Sequence, residues 1–393
     1  MKISPTSATG IGRLDTNILV VNTGSTSVKL ALYLSTPVPA QTIEVPAWSA
    51  EVAAADLGPD RVRGIELALR AAPISLVSID LVGHRIVHGA DRFVAPVVID
   101  TEVESAIAEI AEFAPLHNQA GLDGIAAARR VVQPHVRHVA VFDTAFHQSM
   151  PAAAYAYGGP HAWLEQGYRR YGFHGISHEW AVQRAAAILG RPLSELRLIT
   201  CHLGGGCSIT AVDRGRSVDT TMGFTPLDGL VMATRAGSVD PGLLMHLLRH
   251  GSTPDELETI LQRDSGLFGL SGVSGDLRDV IAARDDGNER ARLAVDVFVH
   301  RIASGVGAMM AALDRVDALV FTGGIGQHSA EVRSLVASRF AFIGAQINSD
   351  DNRHVTGDVN VSAAGARVAV LVVKSQEELA IGRAAGALAL ARG

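Results

Sequence analysis

The sequence predicts an α/β protein built from two related halves. Three observations carry this. Strand-like and helix-like runs alternate through most of the 393 residues, the pattern of sheets covered by helices. One local pattern (apolar strand, glycine-bearing turn, apolar strand) occurs at 18–34, ILVVNTGSTSVKLALYL, and again at 197–212, RLITCHLGGGCSITAV. A chain of this length, 48% hydrophobic, can bury two or three separate cores.

The elements follow in order. Residues 80–88 (DLVGHRIVH) and 136–142 (VRHVAVF) read as strands rich in β-branched residues. Thr101 with Glu104 forms a capping box, and Val103, Ile107 and Ile110 give the helix behind it an apolar face. The Pro/Ala/Gly/Tyr-rich stretch 150–160 places a domain boundary there. Residues 290–314 read as a long helix, 317–323 as a buried strand, 329–339 as a helix and 367–373 as a strand. Ser375 and Glu378 would cap a final helix. Laid one on the other, the two hairpins set His202 opposite Asn22, Gly204 opposite Gly24 and Ile209 opposite Lys29.

Composition narrows the function. Thirty-four basic and forty acidic residues give a net charge of −6, so there is no basic footprint for nucleic acid and no polybasic membrane anchor. No stretch reads as long and apolar enough to span a bilayer, and residues 1–16 read as a flexible extension without the apolar core of a signal peptide. Cys201 and Cys207 make no disulfide framework, which fits a cytoplasmic protein.

The first hairpin holds Lys29, one of only three lysines in the chain. A Gly/Ser/Thr turn beside an ammonium suits an anion. An ordinary hairpin with a polar turn fits that segment equally well. It is not a Walker A loop, because the chain re-enters a strand instead of opening a helix. A third glycine loop, Thr322-Gly323-Gly324-Ile325-Gly326, follows the strand ALVF and precedes a helix, where a flat or anionic ligand can approach the backbone.

Charged residues cluster at strand ends, where open α/β sheets bind ligands. Arg85 lies in GHRIVHG, Asp143 in VFDTAFH, His174 in YGFHGISH, Arg235 in TRAGSVDP, Asp276 and Arg278 in SGDLRD, and Glu377 in KSQEEL. Any one of these alone fits a surface charge or a satisfied ion pair. Together, two arginines can grip a carboxylate or phosphoryl group, acidic side chains can hold Mg²⁺, and a histidine can donate to a transferring group. A zinc site at His84/His88 or His174/His178 is disfavoured: HxxxH brings imidazoles together only on a helix, and neither pair carries the HExxH glutamate. No GxGxxG follows the first strand, so a dinucleotide fold has little support.

In order along the chain, NTGSTSVK, GHRIVHG, APLHN, VFDTAFHQ, YGFHGISH, the CHLG turn, MGFTPLDG, TRAGSVDP, SGDLRD, FTGGIG and EELAIGR resemble the acetate kinase family. The resemblance covers nearly everything after residue 17. It implies a two-domain actin-like ATPase (ribonuclease H-like) fold, with a duplicated mixed β-sheet core flanked by helices and an interdomain cleft. The N-terminal domain would span 17–150 and regain the helix 379–393; a nucleotide-binding and dimerisation domain would span 151–378.

The activity implied is reversible, direct in-line transfer between ATP and acetate, giving ADP and acetyl phosphate, with Mg²⁺ or alternatively Mn²⁺, in a homodimer. A propionate or butyrate kinase, or a catalytically weak nucleotide-binding paralogue, stays open beside it. By resemblance, Arg85, Asp143, His174 and Arg235 are catalytic. Arg85, Val87, Leu116, His117, Phe173 and Pro226 surround the acid. Asn22, Ser25, Ser27, Lys29, His202, Gly204, Gly205 and Gly206 face the phosphates. Asp276, Leu277 and Arg278, with Gly323, Gly324, Ile325 and Gly326, border the nucleotide, and Asn22 and Glu377 hold the metal. The chain departs from the family pattern at Gly205, in place of the asparagine of HLGNG. It also departs at Cys207, Leu277, Gln327 and His328.

Overall fold

The structure is a computed structural model that describes residues 16–24, 27–34, 45–72, 79–111 and 115–390, except for the side chains of 115–117 and 390. The chain divides into two compact units, Met1–Phe142 with Glu377–Gly393, and Asp143–Gln376. The expected boundaries were 150/151 and 378/379.

The first unit is built on six strands: β1 (Ile18–Thr23), β2 (Ser27–Tyr33), β3 (Trp48–Ala53), β4 (Leu81–Ile86), β5 (Val97–Val98) and β6 (Arg137–Phe142). They lie in the order β3-β2-β1-β4-β6-β5. β1 pairs antiparallel with β2 and parallel with β4, and β6 runs parallel to β4. Every residue of β1 is buried, as expected for a central strand covered on both faces. On one face Leu19, Val21, Leu30 and Val82 pack with Ile65 and Leu69 of the helix Arg61–Arg70 and with Ala127 and Ala128 of the helix Pro115–Arg129. On the other lies the closing helix, Glu377–Leu390. A Cβ on Gly83 would stand 3.0 Å from Ile381, so the bare glycine in β4 lets that helix sit close. The helix after residue 100 is capped by Asp100, whose side chain accepts from the Val103 N–H; Thr101, the expected cap, is its first helical residue.

The second unit repeats the plan with β7 (Arg197–Leu203), β8 (Cys207–Asp213), β9 (Arg216–Thr220), β10 (Ala318–Thr322), β11 (Val359–Asn360) and β12 (Ala369–Val372). Their order, β9-β8-β7-β10-β12-β11, matches the first sheet strand for strand, including a two-residue antiparallel edge strand at the same end. The helix Gly175–Leu189 covers the face carrying Thr200 and Ser208, and the helix Glu289–Met310 covers the face carrying Ile209. That second helix, 22 residues long, does reach the length and apolarity of a membrane span, contrary to the sequence expectation. It packs a stripe of Val295, Phe298, Ile302 and Val306 inside the unit. The duplicated, helix-flanked mixed sheets agree with the fold that the resemblance implied.

One detail of the repeat is corrected. Four residues separate the last paired residues of the first hairpin, Thr23 and Val28, and three separate Leu203 and Cys207 in the second. The shorter turn moves the register by one. Asn22 faces Lys29, and His202 faces Ser208, so Ser208 and not Ile209 is the counterpart of Lys29.

Histidines are buried in both units. His84 Nε2 is hydrogen-bonded to His138 Nδ1 at 2.8 Å, with the rings stacked. Burial pushes His84 well below the ordinary imidazole range, and pushes His138 and His147 down to about 4. A histidine whose folded pKa lies below its unfolded value takes up protons on unfolding. Stability is therefore full above about pH 6.5 and falls as pH drops toward the folded pKa, by about 1.4 kcal/mol per pH unit for each such group. Urea unfolding at a series of pH values should show a plateau from pH 7 to 8 and a steep loss between about 6.5 and 5. A flat profile through that window would contradict the buried neutral imidazoles.

Candidate functional site

In the first unit, the polar groups gather where β1 and β4 end. The pleat puts Asn22 and Arg85 on the face covered by the closing helix. Asn22 Nδ2 donates to Glu378 Oε1 at 2.9 Å and, more weakly, to Glu377 Oε2 at 3.4 Å. Arg85 Nη1 donates to Asn22 Oδ1 at 3.4 Å. Asn22 is buried, and the two glutamates form the first turn of the closing helix. Two carboxylates and an amide in one place are hard oxygen donors, the set that suits a divalent cation such as Mg²⁺. Among the described residues no group of three or more His, Cys, Asp or Glu gathers to hold a metal, so any site here depends on the amide and on the ligand itself. Lys29 lies directly opposite Asn22 in register but is exposed. The Ser27 hydroxyl donates to Glu51 at 2.8 Å.

In the second unit, the key turn is YGFHGISH. His174 adopts a left-handed conformation (φ 57°) just before the helix Gly175–Leu189. The Gly175 N–H donates to the carbonyl of Asp143 at 2.9 Å, and a Cβ on Gly175 would stand only 2.1 Å from that oxygen. Buried His147 braces the turn. Its Nε2 is hydrogen-bonded to the Phe173 carbonyl at 3.0 Å and its Nδ1 to Ser217 Oγ at 2.9 Å. Such strain in a non-glycine residue is typical of functional turns.

The His174 ring is stacked on His202, with centroids 4.2 Å apart, and its Nδ1 is hydrogen-bonded to Ser208 Oγ at 2.9 Å. His202 Nδ1 is held by Ser177 Oγ at 2.7 Å. Arg235 Nη1 donates to the Pro226 carbonyl at 2.7 Å. A Cβ placed on Gly206 would stand 2.9 Å from Arg235 Nη2 and 3.0 Å from His174 Nε2. The guanidinium and the imidazole therefore converge on one spot above a glycine.

Next to this spot, Gly204, Gly205, Asp276, Leu277, Gly324 and Ile325 line a cavity of about 820 Å³. Asp276 caps the helix Leu277–Asp285 and pairs with exposed Arg278 at 2.5 Å, which holds the Asp276 carboxyl below the usual range. The expected glycine loop is a helical turn, Gly323–His328. Arg333, which the sequence did not single out, fixes it from beneath. This fully buried guanidinium donates to the carbonyls of Gly326, Gln327 and Asn352, and burial pushes it down to about 10. Gly205 has open space where a side chain would stand. Cys207 is a buried small residue: its thiol donates to the Gly204 carbonyl, and burial pushes it up to about 12.

The structure thus brings Asn22, Arg85 and Glu377 together in one unit. In the other it brings together His174, His202, Gly206 and Arg235, with the cavity residues beside them. Asp143 is buried just after β6. Val87, Phe173 and Pro226 are buried, Val87 in the first unit and the other two in the second. Ser25 and the side chains of Leu116 and His117 lie outside the described residues. Glu378, His178, Thr200 and Ser208 were missed as site residues. His178 did carry a signal, the four-residue spacing from His174 that sets it one turn into the helix His174 precedes. Ser208 bridges the two rings.

The sequence profile of the Acetokinase family matches residues 17–383. An acetate kinase of Synechococcus sp. (strain JA-2-3B'a(2-13)) is 48% identical across 94% of this chain and 98% of its own length. The crystal structure of Porphyromonas gingivalis acetate kinase superposes with a TM-score of 0.85 at 35% identity, covering 95% of this chain and all of that one. A propionate kinase from Francisella tularensis superposes with a TM-score of 0.83, also at 35% identity, covering 94% of this chain and 98% of that one. With its two matching sheets and this cluster of arginine, histidine and glycine turns, the chain belongs to the acetokinase family.

Proposed function

We propose that the chain catalyses reversible phosphoryl transfer from ATP to acetate, giving acetyl phosphate and ADP by direct in-line attack. The observation that carries this is the convergence of Arg235 and His174 over Gly206, beside a glycine-lined cavity large enough for a nucleotide. A carboxylate oxygen is already a competent nucleophile, so the protein needs no strong base. Its task is to position the reactants and stabilise the charge spread over the transferring group.

In this reading the cavity holds the nucleotide, with Leu277 and Ile325 against its apolar part and the Gly204–Gly206 turn beside its phosphates. Arg235 and His174 donate to the equatorial oxygens of the moving phosphoryl group. Arg85 orients the acid, with Asp143 as a further polar group of the site. Asn22 and Glu377, joined by Glu378, would hold Mg²⁺ or Mn²⁺, which when bound neutralises phosphate charge. Val87, Phe173 and Pro226 would limit the size of the acid.

The acid is best read as acetate. An extra methylene in an apolar pocket is worth only about 1–3 kcal/mol, so propionate should be used more slowly without being refused. Trapping acyl phosphate as its hydroxamate tests both points. With Mg-ATP, acetate should give product at a kcat/KM above that for propionate and butyrate. Arg235→Ala and Arg85→Ala should each lose about 10²–10³ in turnover, as for the loss of one preorganised donor. A kcat/KM favouring propionate would reassign the acid. A protein that binds ATP yet forms no hydroxamate with any acid would be a nucleotide-binding paralogue.

A homodimer is part of this proposal. The helix Pro241–Arg249 carries Leu243, Leu244, Met245, Leu247 and Leu248, yet none of its residues is buried. Sedimentation should show twice the chain mass, reduced to one chain by Leu243→Glu. A wild-type monomer at micromolar concentration would remove the dimer from the account.

A further inference from the structure

Behind His174 runs a line of hydrogen bonds that the proposed chemistry has not yet used. Thr200 Oγ1 lies 2.7 Å from His178 Nδ1, His178 Nε2 lies 2.7 Å from Ser208 Oγ, and Ser208 Oγ lies 2.9 Å from His174 Nδ1. The far nitrogen of that last ring, Nε2, faces the spot above Gly206. Thr200, His178 and Ser208 are all fully buried.

Each hydroxyl has one proton to give, and a neutral imidazole has one donor and one acceptor nitrogen. A Ser208 that accepted from both rings would leave its own buried proton without an acceptor in the line, a costly arrangement, so two polarities remain. Run inward, His174 Nδ1–H donates to Ser208, Ser208 to His178 Nε2, and His178 Nδ1–H to Thr200. The Thr200 proton then has the Thr210 carbonyl, 3.4 Å away. Run outward, the Thr200 hydroxyl donates to His178 Nδ1, His178 Nε2–H donates to Ser208, and Ser208 donates to His174 Nδ1. The His174 proton then sits on Nε2.

Distance decides between them. A good O–H···O bond spans about 2.5–3.0 Å, so the Thr210 carbonyl is a poor destination and the 2.7 Å bond to His178 is a good one. Burial holds His178 well below the ordinary imidazole range, so it stays neutral and can relay in one direction only. The neighbouring Arg235 guanidinium disfavours a second positive charge on the His174 ring. If that ring is neutral, its tautomer determines whether it can donate at all.

We propose that Thr200, His178 and Ser208 are positioning residues that fix neutral His174 as the Nε2–H tautomer, aimed to donate to the transferring phosphoryl group. The purpose of the donation rests on the proposed phosphoryl transfer, whereas the tautomer itself does not. No net proton moves. The line only sets which nitrogen carries the hydrogen.

The test is the ring ¹⁵N spectrum of histidine-labelled full-length protein without substrates at pH 8, with His174 assigned by its loss in His174→Gln. The expected wild-type signature is a protonated Nε2 and an unprotonated Nδ1. Thr200→Val removes the first donor and should shift His174 toward the Nδ1–H form. It should also lower kcat about tenfold, with KM for ATP and acetate within twofold, and Thr200→Ser should restore both readouts. A wild-type His174 protonated on Nδ1 would overturn the proposal without need of any variant. So would a folded Thr200→Val protein with unchanged tautomer and kcat. The expected tautomer in a protein that forms no acyl hydroxamate would instead strike the kinase reading and leave the relay standing.

Discussion

The second unit is organised around one missing atom. Because Gly206 has no Cβ, the Arg235 guanidinium and the His174 imidazole can both approach the same point at the tip of the β7–β8 hairpin. Holding them there costs backbone strain. His174 stays left-handed because Gly175 tucks under the Asp143 carbonyl, while His147, itself held by Ser217, braces the Phe173 carbonyl. The neighbouring hydroxyls of Ser208 and Ser177 then lock the two stacked rings. A site of this kind works by being assembled before the substrate arrives, so its donors need not reorganise as charge develops.

The two sheets show how a duplicated scaffold diverges. At equivalent places in the two hairpins stand the pairs Asn22/Lys29 and His202/Ser208. In the first unit the position holds an amide between Arg85 and two glutamates of the closing helix. In the second it holds an imidazole over a buried serine. Strand order, direction and even the antiparallel edge strand are kept, because they are fixed by packing. The side chains at the hairpin tips are not so constrained, and they are where the polar chemistry has separated.

Much of this was legible in the sequence. The strand ALVF declares itself by a short apolar run and VRHVAVF by its recurring valines, and the repeat was visible from its glycine turns. The arginines, His174 and Glu377 were singled out as a set: each alone fits a surface charge or an ion pair, and only together do they suggest grip on an anion. What escaped was whatever depends on a third dimension. A turn shorter by one residue changed the partner of His202, which no ungapped comparison reveals. Asp100 took the cap expected of Thr101 because its carboxylate reaches the Val103 N–H and starts the helix one residue earlier. Thr200 and Ser208 look like ordinary strand residues until the helix Gly175–Leu189 lays His178 across them. Arg333 reads as a surface charge on an amphipathic helix, and only the fold shows it pinning the Gly323–His328 turn.

The most direct measurement is turnover and nucleotide affinity of Gly206→Ala. Gly206 is not in the left-handed region, so alanine fits the backbone, but its methyl would occupy the point where Arg235 and His174 meet. The account predicts a folded protein that binds ATP within a few-fold of wild type and has lost about 10²–10³ in acyl phosphate formation. Wild-type turnover in that variant would mean that the phosphoryl group does not pass over Gly206, and would contradict the account at its centre.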